Sequence, residues 1–472
     1  MATNSSLGTP EQLRDPNYTP PLASAVPLGI QHVLAMFVSN VTPAIIVCGA
    51  AGFGFGSNSP DFPQMIYMIQ MSMFFAGIAT LFQSIGIGPV GARLPIVQGT
   101  SFAFIPIMIP LVAGKGVDAI AVLMGGIVAG GLFHAVLGLF IGRLRFALPP
   151  LVTGLVVTMI GLALVKVGIQ YAAGGVPAIG TPEYGSGLNW LMAGTVIVVT
   201  LGLKFFARGM LSVSAVLVGL LVGYALAFAL GQVNLGNVGT AAPFALPNPL
   251  HFGLEFTVAA VIGFCAMSFV SAVETVGDVS GITKGGAGRE ATDDEIQGAT
   301  FADGIGTAIS GLFGALPNTS FSQNVGLIAM TGVMSRHVVT FGAIFLIICG
   351  LIPKIGGRLN PALIARAVLP LVRQLHAQNP FDLVDAQFFY PDGPAAMMIA
   401  RDLGLPFTVK ARGSDIHHWG ARRYGRDALL KTARAAAGVL AVCKALADDM
   451  AMLGIEREKI RVHYTGLDRD LF

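Results

Sequence analysis

Charged side chains are scarce in the first three quarters of this chain. Residues 1–356 carry 25 Lys, Arg, Asp and Glu residues, whereas the much shorter stretch 357–472 carries 28. About 25% of the residues in a typical soluble domain are charged, so the first part is too apolar to fold in water. The composition therefore predicts a membrane domain followed by a segment of ordinary soluble composition.

The sequence has few cysteines, a small net charge and no signal-peptide pattern in its first residues. The four cysteines have no metal-ligand spacing, which predicts core thiols, and we expect neither a metal ion nor a cofactor. The net charge of +3 gives no reason to expect nucleic acid as a partner. Residues 1–25 are polar and proline-rich without the basic-then-apolar order of a signal peptide. They are expected to form a polar cytoplasmic tail, with insertion relying on the first span itself.

Long apolar runs fill residues 26–356. A membrane span needs about 20 apolar residues, and eleven candidate segments follow one another. Basic residues such as Arg208, Arg289 and Arg336 follow even-numbered segments, which indicates a cytoplasmic N-terminus. The segments are 28–51, 65–87, 95–113, 118–141, 149–170, 189–207, 211–231, 256–276, 298–316, 323–335 and 337–353.

The third and tenth segments are interrupted by Pro, Gly, Ser and Thr. Residues 94–102 combine a Leu-Pro pair with Thr-Ser-Phe, and residues 316–323 repeat that combination. Paired broken helices in corresponding halves of a chain are typical of transporters whose site lies near the middle of the membrane. The two breaks therefore predict where a ligand would bind.

An amide pair, Gln323 and Asn324, stands beside Gly326 in the tenth segment. Amides are costly in hydrocarbon unless they have partners. Each amide carries a donor and an acceptor, so the pair has the groups needed to read the edge of a heterocyclic base. Asn is also a good N-cap, and the N-terminus of a half-helix offers free N–H groups to a ligand. Both interpretations stay open from the residues alone.

Two carboxylates, Glu274 and Asp278, lie four residues apart near the end of the eighth segment. This spacing places both on one helix face, and a carboxylate inside a span suggests a function. A carboxyl in an apolar site can change its protonation near neutral pH. We therefore expect substrate hydrogen bonding by Glu274 and coupling by one or both residues. The alternative is a helix end whose charges are solvated at the interface.

Five further side chains are candidates for the site. Asp303, taken to begin the ninth segment, is either an interfacial charge or a coupling residue. His32 either bonds a neighbouring helix or acts in the site as a ligand or proton-relay partner. Ser101, Phe102 and Phe321 stand at the breaks, where Phe102 either stacks on a planar ring or packs in the core.

Residues from about 25 to 356 resemble the nucleobase–ascorbate transporters, also called the nucleobase:cation symporter-2 or xanthine/uracil permease family. The family signature in the tenth span is Gln/Glu-Asn-x-Gly, four residues, Thr, then Arg, Lys or Gly. Residues 323–332 match it in full. Similar marks occur at Gly29–Met36, Gly99–Phe102, Glu274–Asp278 and Ala302–Gly304.

This resemblance implies an all-α polytopic fold of fourteen spans in two inverted repeats of seven. Spans 1–4 and 8–11 form a core domain, and spans 5–7 and 12–14 form a gate domain. Residues 26–356 would hold about eleven of the fourteen, with the last three missing. The resemblance also assigns roles: base hydrogen bonding to Glu274 and Gln323, supporting roles to Asn324, His32 and Asp303, a polar role to Asp278, and a backbone lining near Phe102 and Phe321.

By the same resemblance, the chain is expected to be a carrier and not an enzyme. The implied function is transport of a purine nucleobase, xanthine or uric acid, with protons as the coupling ion. Gln323 stands where uracil carriers usually have Glu, which favours the xanthine and uric acid branch. A carrier of uracil or another nucleobase is the alternative. The implied setting is the bacterial inner (plasma) membrane, multi-pass and in contact with lipid, and a homodimer is implied as well.

The family pattern stops near residue 356, and residues 357–472 have a partial α/β pattern. Strand-like runs at 381–386 and 439–442 flank the sequences Tyr-Pro-Asp-Gly (390–393) and Arg-Gly-Ser-Asp (412–415). They resemble part of the N-terminal domain of retaining glycosyltransferases with two Rossmann-like domains, and residues 462–468 resemble that family's hinge. The glycine-rich opening and the nucleotide-sugar domain are lacking, so the resemblance implies no sugar transfer. Asp392 and Asp415 would have acceptor-side or structural roles. Alternatives are a membrane-anchored glycosyltransferase and an inactive chimera of two gene fragments.

Overall fold

The computed structural model describes residues 8–54, 59–144, 150–175, 178–207, 212, 215–232, 244–352 and 360–464. The chain divides into two compact units, Met1–Pro353 and Lys354–Phe472. The predicted join between residues 356 and 357 lies outside the described residues, and so do residues 465–468 of the hinge-like end.

The described part of the first unit consists of helices and two three-residue strands. The long helices are interrupted twice, once before α4 and once before α11. In chain order the elements are α1 Pro10–Arg14, α2 Leu22–Ala51, α3 Phe62–Ile85, β1 Gln98–Thr100, α4 Ile105–Val112, α5 Ala119–Leu144, α6 Pro150–Ala172, α7 Gly187–Phe206, α8 Ala215–Ala229, α9 Val258–Ile282, α10 Asp293–Leu312, β2 Asn318–Ser320, α11 Ser322–Thr331 and α12 Arg336–Leu351.

A helix lies in each of the eleven predicted apolar segments. Among the described residues, six helices are long and apolar enough to cross a membrane, and two shorter apolar helices accompany them. The six are α2, α3, α5, α6, α7 and α9, and the shorter two are α8 and α12. A mainly helical fold with several apolar helices is confirmed, while the count of eleven crossings stays a prediction.

Small residues let α5 pack closely against α9 and α10. A Cβ on Gly130 would lie 2.9 Å from Cβ of Phe264 on α9, and one on Gly131 would lie 2.4 Å from the nitrogen of Ala308 on α10. Glycine thus permits backbone contact at both interfaces, as in other membrane helix pairs. The close packing fixes the two helices that carry Glu274 and Asp303.

The N-terminal segment is folded back onto the loop that follows α11. The carbonyl of Leu13 accepts a 2.7 Å hydrogen bond from the nitrogen of Met334, and the carbonyl of Pro16 accepts one of 3.0 Å from the nitrogen of Arg336. The Arg336 guanidinium also donates to the Asn17 side chain at 2.9 Å. Part of the expected polar tail is therefore anchored, and α2 begins at residue 22, inside the predicted tail 1–25.

The second unit is built on a parallel four-stranded sheet in the order β3-β4-β5-β6. Parallel neighbours need crossover connections, and helices supply them. Two of the four strands lie at the predicted positions 381–386 and 439–442. The elements are α13 Asn360–Gln378, β3 Val384–Ala386, α14 Asp392–Leu403, β4 Phe407–Ala411, α15 Ser414–Gly420, α16 Arg423–Ala435, β5 Gly438–Ala441, α17 Lys444–Leu453 and β6 Ile460–Val462.

Asp415 has a structural position in this second unit. Its carboxylate is fully buried and accepts hydrogen bonds from the backbone nitrogens of Phe389 at 2.8 Å, Arg412 at 3.0 Å and Gly413 at 2.8 Å. Three backbone donors leave this carboxylate little capacity for a ligand. Of the two roles expected for Asp415, the geometry favours the structural one.

Candidate functional site

The two interrupted segments meet as an antiparallel strand pair. β1 lies opposite β2 with Gly99 facing Thr319 at the centre. The pairing extends on both sides, because the nitrogen of Ser101 donates to the Pro317 carbonyl at 2.8 Å and that of Phe321 donates to the Val97 carbonyl at 3.0 Å. The matched breaks of the sequence are therefore in contact in the folded chain.

Side chains take up the strand N–H groups that point away from the partner strand. The nitrogen of Gln98 donates to Thr80 Oγ1 at 2.9 Å, that of Thr100 to Asn40 Oδ1 at 2.8 Å, and that of Asn318 to Thr307 Oγ1 at 3.0 Å. A backbone group left unpaired inside a membrane costs several kcal/mol. Sequence reasoning missed these three partners, Asn40, Thr80 and Thr307, although each is a polar residue within an apolar segment.

Gly99 is required where the strands cross. A Cβ there would lie 2.3 Å from Cε2 of Phe321, 2.6 Å from Cε of Met36 and 2.8 Å from Oδ1 of Asn40. The Phe321 ring is 6% exposed and packs in a core cluster with Met36 and Val97. The Phe321 ring therefore packs where β1 and β2 meet and does not face a ligand. Only the backbone of Phe321 is left to line the site.

The other two residues at the first break lead into α4. Ser101 is fully buried, and its hydroxyl accepts a 3.3 Å hydrogen bond from the nitrogen of Ala103. Phe102 is only partly buried and packs against the core that includes Phe104 and Met108. Phe102 thus packs in the core, and the exposed part of its ring remains accessible for stacking on a ligand.

The two carboxylates of α9 face β2 and the first turn of α11. Asp278 is 8% exposed and accepts 2.7 Å hydrogen bonds from the hydroxyls of Ser320 and Ser322. Glu274 lies one turn earlier, is half-buried, and has a single 3.5 Å contact with Thr319 Oγ1. The alternative of an Asp278 charge solvated at the interface is therefore wrong, because both of its oxygens are engaged inside the protein.

Asp303 lies in the middle of α10 and not at its beginning. The helix starts at Asp293, so the placement of Asp303 at the head of a span, and with it the interfacial alternative, is wrong. The side chain is fully buried and accepts hydrogen bonds from Gln83 Nε2 at 2.7 Å and Thr275 Oγ1 at 2.5 Å. Asp303 thus joins α3, α9 and α10, and Gln83 is a further partner that sequence reasoning missed.

Asn324 connects α11 to α2 through His32. Phe321 occupies the N-cap position of α11, so the interpretation of Gln323 or Asn324 as the cap is wrong. Nδ2 of Asn324 lies 2.8 Å from Nδ1 of His32 and 3.2 Å from the His32 carbonyl oxygen. Both side chains are buried, at 1% and 3% exposure. His32 therefore has the neighbouring-helix contact that the sequence offered as one alternative.

Gln323 differs from its neighbour in being exposed. Its Nε2 has a marginal 3.5 Å contact with the Ser39 hydroxyl. An amide with such a weak partner retains a donor and an acceptor for a ligand. The site therefore combines an exposed amide and a half-buried carboxylate, Gln323 and Glu274, on a framework of buried hydrogen bonds.

This arrangement suits hydrogen bonding to a polar molecule that carries both donors and acceptors. A cavity of about 540 Å³ in the same unit lies elsewhere, between the N-terminal segment and the start of α10, with Asn17, Arg93 and Arg289 in its wall. Among the residues that the structure describes, no group of three His, Cys, Asp or Glu side chains could hold a metal ion.

Comparisons with known proteins divide the chain in two. A model described as a permease family, that of the xanthine/uracil permeases, matches residues 23–368. A model described as glycosyltransferase family 4 matches residues 345–471. The second match covers the predicted glycosyltransferase fragment.

Three bacterial carriers are similar to the first part. The uric acid permease PucJ of Bacillus subtilis (strain 168) is 35% identical over 70% of this chain and 71% of its own length. The uric acid transporter UacT of Escherichia coli (strain K12) is 34% identical over 69% and 66%. The xanthine permease XanP of the same strain is 32% identical over 72% and 74%. Among solved structures, the transmembrane domain of a cyanobacterial bicarbonate transporter, BicA, matches with a TM-score of 0.46 and 16% identity, over 68% of this chain and 81% of that one.

Proposed function

Because this chain belongs to the xanthine/uracil permease family over residues 23–368, we propose that it carries xanthine or uric acid across the bacterial inner membrane together with protons. The family is one of permeases, so the chain is a multi-pass membrane protein and not an enzyme. The proposal rests on one observation above all, which is the exposed Gln323 amide and the half-buried Glu274 beside two paired helix breaks.

The carboxylates of the site have different amounts of hydrogen bonding, which suggests different roles. Asp278 and Asp303 each accept two short bonds from protein side chains, so they hold the breaks and the helices together. Glu274 has one contact at 3.5 Å and is half-buried, so it is the freest to exchange a proton or bond a base. We assign base recognition to Glu274 and Gln323 and the coupling proton to Glu274.

Alternating access needs a second bundle that moves against the one carrying the site. By the family's architecture, helices α6, α7 and α8 would belong to that gate, and the inverted-repeat arrangement of fourteen spans is part of the proposal. Binding and uptake are separate steps of this mechanism. They are therefore best measured separately.

Calorimetry on the purified protein with xanthine, uric acid and uracil tests the binding step. Uptake of radiolabelled xanthine by cells lacking purine carriers tests transport. Glu274→Gln and Gln323→Ala should each weaken binding about tenfold or more, the effect of one lost hydrogen bond to a ligand. Gln232→Ala, which removes an exposed glutamine after α8, is the matched control. Tighter binding of uracil than of either purine would favour the alternative substrate, and no binding of any base would refute the site.

The second unit is proposed to be a partial glycosyltransferase domain without activity of its own. Its match to glycosyltransferase family 4 and its parallel sheet support the kinship, whereas the buried Asp415 is committed to backbone donors. Sugar transfer from any nucleotide-sugar donor by the purified chain would favour the membrane-anchored enzyme instead. Resequencing the gene across the codon of residue 357 separates a genuine fusion from a chimera.

A further inference from the structure

The contact between Asn324 and His32 determines where the imidazole carries its proton. Nδ2 of Asn324 lies 3.2 Å from the His32 carbonyl oxygen. That carbonyl can only accept, so the NH₂ end of the amide must face it. Turning the amide over would place Oδ1 against another oxygen in a site where Asn324 is 1% exposed. The orientation of this amide is therefore set by the backbone of His32.

The same NH₂ group lies 2.8 Å from Nδ1 of the His32 ring. Because Nδ2 can only donate, Nδ1 must accept and cannot carry a proton. The proton of the neutral ring is then on Nε2. A second proton on Nδ1 would bring two donors to within 2.8 Å of each other, in a place where His32 is 3% exposed and water cannot intervene.

The helices around His32 offer nothing to stabilise a charged ring. α2 packs against α3, α4, α8, α11, α12 and β1, and the described residues of these elements include no Asp or Glu. Their charged or titratable side chains are Tyr67, Tyr224, Arg336, His337 and Cys349, of which Arg336 adds positive charge. A buried imidazolium without a nearby carboxylate is unfavourable.

We infer that His32 is a fixed, neutral imidazole that offers one hydrogen-bond donor, Nε2–H, and takes no part in proton coupling. This rests on the proposed function, under which Nε2–H pairs with the bound base and so selects the kind of atom opposite it. That atom is an acceptor, either a carbonyl oxygen or an unprotonated ring nitrogen of an oxidised purine. The coupling proton is then left to the carboxylates, as proposed for Glu274.

The tautomer can be measured without any ligand. Nitrogen NMR of the full-length protein with ¹⁵N-labelled histidine distinguishes protonated from unprotonated ring nitrogens, and His32→Asn identifies the signals of residue 32. We expect an unprotonated Nδ1 and a protonated Nε2, unchanged between pH 6 and pH 8. A proton on Nδ1, or a doubly protonated ring at pH 6, would overturn the inference. Because no purine is present, this result is independent of the proposed function.

Two substitutions separate the role of each ring nitrogen in binding. The amide of His32→Asn reaches the position of Nδ1 and keeps an acceptor for Asn324, but it has no donor at Nε2. The amide of His32→Gln reaches the position of Nε2 and supplies the donor. We expect xanthine affinity to fall about tenfold or more in His32→Asn and clearly less in His32→Gln. Equal losses in both variants, or a smaller loss in His32→Asn, would refute a donor role for Nε2.

Discussion

The carboxylate of Asp278 on α9 accepts a 2.7 Å hydrogen bond from the hydroxyl of Ser322, the first residue of α11. A second bond of the same length comes from Ser320, the last residue of β2. One side chain thus holds the strand and the half-helix on either side of the second break. The direction in which α11 presents Gln323 depends on this contact.

Asp278→Ala should destabilise the membrane domain and weaken purine binding. It leaves a buried hydroxyl on Ser320 without its acceptor and frees the start of α11, at a cost of about 1–3 kcal/mol. Thermal unfolding in detergent gives the stability and calorimetry gives the affinity. Asp278→Asn keeps one acceptor oxygen and should lose less, as should Ser322→Ala. Wild-type stability in Asp278→Ala would show that the two bonds contribute nothing.

A double-mutant cycle should show that Gln83 and Asp303 act as a unit. Gln83→Leu removes a 2.7 Å donor from a fully buried carboxyl, so it should destabilise the protein more in the presence of Asp303 than in Asp303→Ala. In Asp303→Ala only the Gln83 contacts with Ala92 and Ala299 remain to be lost. Coupling energies for such contacts are about 0.5–3 kcal/mol. Gln70→Leu, on the same helix, is the control, because the Gln70 amide nitrogen is buried without a hydrogen-bond partner. Additive effects of the Gln83 and Asp303 changes would contradict the contact.

Substitution by alanine should have opposite effects on stability at Gly99 and at Gly326. In Gly99→Ala the new methyl group would overlap Phe321 and Met36, so the strand crossing must shift and both stability and purine binding should fall. Gly326 has open space around it, and alanine there should stabilise α11 by up to about 1 kcal/mol. A binding loss in Gly326→Ala without a stability loss would show that the ligand approaches that position. Equal tolerance at both sites would argue against the crossing.

The second unit should become more stable towards neutral pH in Asp392→Asn. Burial, and then the nearby Asp415, raise the pKa of the Asp392 carboxyl above its usual 3.8. An acid with a raised pKa in the folded state favours folding at low pH, and this contribution is lost as the pH rises through that pKa. Asparagine removes the penalty, and the difference should vanish below about pH 4.

The fluorescence of Trp419, which packs on Tyr390 with 4.7 Å between the ring centroids, follows unfolding of this unit. Trp190→Phe removes the other tryptophan of the chain. Asp415→Ala should destabilise the same unit at every pH, since it leaves three backbone donors without their acceptor. A pH-independent gain in Asp392→Asn would contradict the pKa argument.

The sequence allowed the helices and the two breaks to be located because length and polarity decide what can lie in a membrane. A run of about 20 apolar residues is visible without knowing any contact, and the Pro, Gly and Ser residues of the breaks stand out within such runs. The face of each side chain could not be inferred in the same way. The helical period is lost at a break, so the sequence gives no indication that the Phe321 ring packs into the core.

The partners of the site residues were equally hidden. Gln83 and Asp303 are far apart in the chain, and so are Asn40 and Thr100, and only tertiary packing brings each pair together. A polar residue in a span shows that a partner exists but does not identify it. The same limit applies to Asn324, whose contact was with His32 and not with its own helix end.

The crossing of β1 and β2 has a consequence for biosynthesis. The N–H groups of Gln98 and Thr100 point away from β2 and bond to Thr80 and Asn40, which are translated before them. The backbone groups of Gly99 point towards β2. They have no partner until Thr319 is translated, about 220 residues later. During that interval unpaired backbone lies within or beside the bilayer, where it is costly. Completion of the membrane domain is therefore a late event in translation, because β1 finds its partner strand only once β2 has been made.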